Sequence, residues 1–352
     1  MELHERHNSD LYVLDRFSDC NRLVGELEHY NVFRRIILIR EDSLYKNKVQ
    51  YSNLFFMRMG ILRTYFNIDR IVESFLEKDV EYDEMYFTCH LLCFRLVRFY
   101  FIKHKYSTKF VMFDEGAGSY YGQFERSNII NTIVKRVLFG KDAANMEFET
   151  YLYQPQLYYN YSLRKKSIHQ LTVFDDVDKN WKNNFFNIFN CNVSNITYKC
   201  IYFDGIREEI CRTEYAQYEM QNWYQTIENS LGVRNIVIKS HPRAKRVYPH
   251  KCDDYPMSKA PMEVECLNMN MGNMVFISVA STAVVTPKIV YDEEPIVLLL
   301  CLLNKDVYQV KDSQIDFYLN VKSLYREQSR FMIPQDMHEF NICIQKIKKL
   351  II

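Results

Sequence analysis

The chain has 352 residues, with 45 Lys+Arg against 44 Asp+Glu, and is 48% hydrophobic and 15% aromatic. This length suits two globular domains, each with its own core. The charge balance argues against a dedicated nucleic-acid binder, and so much aromatic surface excludes a disordered chain.

The N-terminal half alternates strand-like and helical patterns. Asp10–Arg16 (DLYVLDR) and Arg34–Arg40 (RRIILIR) predict strands around a helical stretch, Cys20–Tyr30. Residues 43–83 fit the alternation least and predict inserted helices. Glu84–Thr88 is a third strand, Leu91–Lys105 a helix and Lys109–Phe113 (KFVMF) a fourth strand. The C-terminal half repeats the pattern. Cys200–Phe203 predicts a strand, Glu214–Leu231 a helix, and Val233–Lys239 and Met274–Val279 further strands. A helix is then expected from Ser281 or Thr282, followed by the strand Pro295–Leu300. Strands alternating with helices indicate parallel sheets covered on both faces. The expected domains are 1–185 and 186–352, both Rossmann-like, with a ligand cleft at the carboxyl ends of their strands.

The ten cysteines include no CxxC pair and read as reduced, buried thiols. The N-terminus MELHERHNSD is too polar for a signal peptide, and the longest apolar run, Ile296 to Leu303, is eight residues. A membrane span needs roughly 20, so a cytoplasmic protein is expected.

Glycine is scarce: 9 residues, where average usage would give about 25. Neither a Walker loop nor a full G-x-G-x-x-G turn is present, yet Gly116, Gly118 and Gly122 cluster just after an acidic pair. That segment, Phe113-Asp114-Glu115-Gly116, follows the fourth strand. A carboxylate there can serve as a general base on a hydroxyl, and Gly116 lets backbone approach a ligand. The alternative is a solvated turn ending the strand.

Two more motifs close strands. Lys239-Ser240-His241-Pro242-Arg243 has the makeup of a phosphate site, with cations to neutralise charge and an imidazole to donate a hydrogen bond or proton. It also reads as a basic surface loop. Ser278-Val279-Ala280-Ser281-Thr282 reads as a helix cap and equally as an anion site at a helix N-terminus. From composition, an acid-acid-Gly triplet is expected roughly 0.14 times and His-Pro roughly 0.2 times, so order and placement at strand ends carry the signal.

In that order the FDEG, KSHPR and SVAST elements resemble the acid-acid-Gly, His-Pro and Ser-Ser/Thr motifs of bacterial sialyltransferases, closest to the lipooligosaccharide sialyltransferases of glycosyltransferase family 52. The resemblance implies a GT-B fold and inverting transfer of sialic acid from CMP-sialic acid to a terminal galactoside of a bacterial oligosaccharide or glycolipid, with no metal or other cofactor. It implies Glu115, paired with Asp114, as catalytic base, and His241 as the group that meets the departing phosphate. Ser281 and Thr282 would hold that phosphate, with Ser278, Gly116, Lys239, Pro242 and Arg243 around the donor. Some members draw the base from the segment before His-Pro, which adds Asp204, Glu214 and Glu219 as candidates. Asp176-Val177-Asp178 forms a D-x-D but reads as a solvated loop. The alternatives are a GT-B transferase using another sugar nucleotide or a CDP-polyol, and a non-catalytic glycan-binding subunit.

Two segments read as structural. Tyr151–Tyr161 packs its rings on the core or stacks on sugars. The tail Phe340–Ile352 places Phe340, Cys343, Ile344, Ile347, Leu350 and Ile351 on one helical face. Its lysines leave peripheral membrane contact open, docking on the core being the simpler expectation. A homodimer is also left open.

Overall fold

The computed structural model describes residues 9–15, 19–40, 65–76, 80–88, 92–120, 136–137, 148–159, 167–171, 179–191, 198–204, 214–240, 251–254, 260–267, 269–305, 307–308 and 310–351. The chain divides into two compact units, Met1–Leu171 and Thr172–Ile352. The helix Lys179–Ile188 spans the boundary expected at 185/186. Its Phe185 and Phe186 pack with Cys191, Ala260 and Val264, all in the second unit.

In the N-terminal unit, β1 (Asp10–Leu14) pairs in parallel with β2 (Arg35–Ile39), joined through the helix Cys20–His29. A second parallel sheet runs β3 (Glu84–Phe87), β4 (Lys109–Phe113), β5 (Glu149–Leu152) and β6 (Ile168–Gln170), in that spatial order. The helix Leu92–Lys103 between β3 and β4 is apolar around most of its surface, the pattern of a helix sunk in a core. Its Leu96, Phe99 and Phe101 are fully buried against Tyr65, Ile68 and Val72, with Tyr12 and Phe110 beside them. The short helix Ile68–Val72 is the described part of the helices expected over 43–83.

The C-terminal unit is built on one six-stranded parallel sheet, ordered β12 (Phe331–Met332), β11 (Ile296–Leu299), β10 (Val275–Ser278), β7 (Cys200–Asp204), β8 (Ile236–Ser240), β9 (Asp253–Asp254). Counted from β7, this is the Rossmann order 3-2-1-4-5-6 read from the other edge. β7, β10 and β11 are buried at every residue, as central strands covered on both faces must be. The helix Glu214–Leu231 crosses from β7 to β8, and the C-terminal helix Met337–Ile351 packs against it. That docking buries Phe340, Ile344, Ile347 and Ile351. Leu350, expected on the same stripe, is 59% exposed, because the buried face is only one residue wide per turn.

The cysteines at 20, 93, 191, 200, 252, 266 and 301 are buried and free. Among the described residues no helix is long and apolar enough to cross a membrane.

One ion cluster fixes the start of the N-terminal unit. The shielded Asp10 carboxylate accepts bonds from Arg34 at 2.7 and 2.8 Å, from Arg35 at 2.5 Å and from Tyr82 at 2.7 Å, tying β1 to β2 and to the residues before β3. The Arg34 bond does most to hold Asp10 far below the usual carboxylate range, despite the opposing cost of burial. A depressed folded pKa contributes stability that is complete above the unfolded value, near 3.9, and is lost as pH falls below it. Since both arginines are partly solvated, Asp10→Asn is expected to cost about 2 kcal/mol. Urea titration at pH 7 and pH 3 checks this, the difference from wild type shrinking at the lower pH.

Candidate active site

The FDEG turn leaves β4 while the sheet is still pairing, since Asp114 N donates to Tyr151 O at 3.0 Å. The two acids then take different environments. Asp114 folds back on its own loop, and its carboxylate accepts Gly116 N at 2.8 Å, Tyr153 N at 3.3 Å and the Tyr120 hydroxyl. Burial, with the Asp114 charge adding to it, pushes the Tyr120 phenol well above its ordinary pKa, so the hydroxyl stays a donor. Gln154 N donates to the same oxygen at 3.3 Å, and Tyr159 N to Tyr120 O at 2.9 Å. Part of the Tyr-rich segment thus braces the acidic turn, with Tyr158 buried and Tyr159 exposed.

Glu115 is the acid presented to solvent. Its backbone N–H donates to the buried Ser119 hydroxyl at 2.9 Å, which fixes the main chain and leaves the side chain outside. Gly116, with φ 98° and ψ −158°, occupies a region that essentially only glycine adopts. A Cβ on Gly118 would stand 3.0 Å from Glu115 Oε1. The two glycines serve different ends. Gly116 turns the chain, and Gly118 makes room for the carboxylate.

In the C-terminal unit the chain leaves β7 toward one side, builds β8 and β9, then returns to build β10 on the other. Ligands of open α/β sheets bind outside the carboxyl ends of the strands at such a reversal. β10 and β8 flank the end of β7: Ser278 lies beside Phe203, Phe203 beside Lys239, and Asp204 beside Ser240. The Ser278–Thr282 loop and the strand leading to His241 therefore border one strand end. The buried Ser278 hydroxyl donates to Phe203 O at 2.9 Å and accepts Ser281 N at 3.0 Å, so it works as a strap within the fold. Ser281 accepts Ala283 N at 3.3 Å and caps a single 3-10 turn, Thr282–Val284. The expected helix begins only at Thr286 and is six residues long, which makes its dipole a minor contribution. Ser281 and Thr282 are partly exposed.

Lys239 is drawn into the fold. Its ammonium binds the fully buried Glu265 at 2.7 Å and Ala260 O at 3.2 Å, a pairing across 26 residues that no local pattern signals. Asp204 is buried at the end of β7, and Glu219 accepts Tyr215 at 2.9 Å and Asn304 at 2.5 Å. His241, Pro242, Arg243, Gly122, Asp176 and Asp178, and the Glu214 side chain, lie outside the described residues.

Neither a protein-family model nor a curated protein matches the chain in sequence. In structure, the chain is similar to the calicheamicin glycosyltransferase CalG4, with a TM-score of 0.52 and 9% identity over 97% of this chain and 93% of that one. The kitacinnamycin glycosyltransferase gives a TM-score of 0.46 at 7% identity, over 97% and 94% of the two chains. The Methanocaldococcus jannaschii UDP-GlcNAc 2-epimerase gives 0.42 at 12%, over 97% and 93%. At such identities the likeness is one of fold. With its parallel sheets and Rossmann order, the chain has the α/β fold of the GT-B class.

The two glycines separate stability from site geometry. Gly116→Ala is expected to cost about 1–3 kcal/mol through backbone strain. Gly118→Ala meets only the end of a flexible side chain and should change stability by less than about 0.5 kcal/mol while displacing the Glu115 carboxylate. Thermal unfolding of both variants checks the contrast.

Proposed function

We propose that the chain is an inverting glycosyltransferase that moves sialic acid from CMP-sialic acid to a terminal galactoside of a bacterial surface glycan. One observation carries this reading. The Ser278–Thr282 loop and the strand running into His241-Pro242 flank the end of β7, at the reversal where a doubly wound sheet takes its ligand. The motif resemblance supplies the donor, and the fold likeness supports glycosyl transfer in general.

Glu115 is the candidate base, and the edge of the C-terminal sheet beside β7 is the candidate donor site. Glu115 takes the proton of the acceptor hydroxyl as its oxygen attacks the anomeric carbon. The bond from that carbon to the CMP phosphate breaks, and its electron pair leaves on the phosphate oxygen. His241 donates a hydrogen bond or proton to this leaving group. Histidine titrates near 6.5 and a phosphate monoester near 6, so the two are matched. Attack opposite the leaving group inverts the anomeric centre. Ser281 and Thr282 hold the phosphate, and Arg243 supplies the charge, since the Lys239 ammonium is committed to Glu265. Asp114 keeps the turn in shape, and Glu115 is preferred over Asp204 as base because it is exposed where Asp204 is buried. One phosphate needs less charge compensation than two, so the reading requires no metal.

Calorimetry with CMP, CDP, UDP and GDP is expected to show a clear preference for CMP. A preference for UDP or GDP contradicts the sialyl donor and favours another sugar nucleotide. Glu115→Gln is expected to slow transfer by about 10³-fold and His241→Ala by about 10²–10³-fold, with circular dichroism unchanged. Wild-type protein that neither transfers sialic acid nor hydrolyses CMP-sialic acid contradicts the enzymatic reading and favours a glycan-binding subunit.

A further inference from the structure

The Ser281 loop is held from a helix that neither the motif nor the fold likeness points to. Ala280 O accepts the Tyr318 hydroxyl at 2.8 Å and Gln314 Nε2 at 3.2 Å, both from the helix Asp312–Ser323. Gln314 Nε2 also donates to the Tyr318 oxygen at 3.0 Å, closing a triangle. The Tyr318 side chain is fully buried, so its hydroxyl reaches Ala280 from the core side. On the other end of the same peptide, Ser281 N donates to Ser278 Oγ, which is strapped to Phe203 O.

A trans peptide points its carbonyl and its N–H in opposite directions, so holding both ends fixes the rotation of the peptide plane. This matters for an anion. A carbonyl turned outward would face a phosphate with its negative end, whereas one clamped to the core keeps that end away from the partly exposed Ser281 and Thr282. A loop fixed this way also does not pay the ordering cost each time ligand binds.

We propose that Tyr318 and Gln314 are positioning residues for the donor phosphate, acting through the Ala280–Ser281 peptide to keep the Ser281–Thr282 loop in its binding geometry. The proposal rests on the reading of the chain as a nucleotide-sugar transferase. It assigns a role in donor binding to a helix that contributes no residue of the three motifs.

The test uses the full chain with Tyr318→Phe, which keeps the ring in the core, Gln314→Met, which keeps the length, and both together. Each single variant is expected to weaken CMP binding by about three- to tenfold and the double variant by about thirtyfold, the scale of one and two modest hydrogen bonds. The donor KM rises in parallel, the acceptor KM stays unchanged, and hydrogen exchange at the Ser281 amide quickens. Faster exchange with unchanged CMP affinity overturns the proposal. So does a loss of affinity that merely follows the unfolded fraction as Tm falls, which is what a purely structural role produces. Wild-type protein that binds none of CMP, CDP, UDP or GDP is a different failure, since it removes the donor reading and with it the ligand to be positioned.

Discussion

The parallel pairing of β7 with β8 on one side and β10 on the other is the constraint on which the C-terminal unit depends. Parallel neighbours cannot be joined by a tight turn, so a connection must cross over and return at the amino end of the sheet, as the helix Glu214–Leu231 does between β7 and β8. The loops leaving the carboxyl ends are thereby collected along one edge. The chain builds outward from β7 in both directions, so its path diverges there and β8 and β10 flank the end of β7. The Ser278 hydroxyl, bonded to Phe203 O and to Ser281 N, ties that edge together at the point of divergence.

The acidic turn of the N-terminal unit obeys a related rule. A strand end offers two adjacent side chains, and here Asp114 is used for the turn while Glu115 is exposed. Asp114 gathers two backbone N–H groups and a buried phenol, while the backbone of Glu115 is pinned by Ser119. In both units polar side chains next to the candidate groups are used for holding. Asp114, Ser278 and Lys239 all have their polar atoms engaged within the fold, leaving Glu115, Ser281 and Thr282 exposed or partly so.

Much of this arrangement was legible in the sequence, and what was not has physical reasons. The apolar run MVFISV marks β10 because a buried parallel strand is apolar on both faces, and RRIILIR and KFVMF mark the less buried β2 and β4 by their β-branched and aromatic residues. The strands β5, ETYL, and β6, IHQ, are short and carry polar residues, so they give no comparable run. The two-residue edge strands β9 and β12 are too short for any period. Asparagine is a poor helix former, which hides the helix KNWKNNFFNI in what reads as a domain boundary, although Phe185 and Phe186 dock it in the second unit. The candidate motifs stood out because strand ends and glycine leave local signatures. Their partners were not: Lys239 meets Glu265 and Ala280 meets Tyr318 across 26 and 38 residues, contacts set by tertiary packing alone.

The central claim is that the end of β7, between the Ser281 loop and the strand entering His241, is where a nucleotide's phosphate sits. A crystal structure of the full chain with CMP bound tests this most directly. The account predicts the phosphate within hydrogen-bond distance of Ser281 or Thr282 and of His241. A nucleotide bound elsewhere in the chain, or a phosphate at this edge that touches none of these residues, would contradict it.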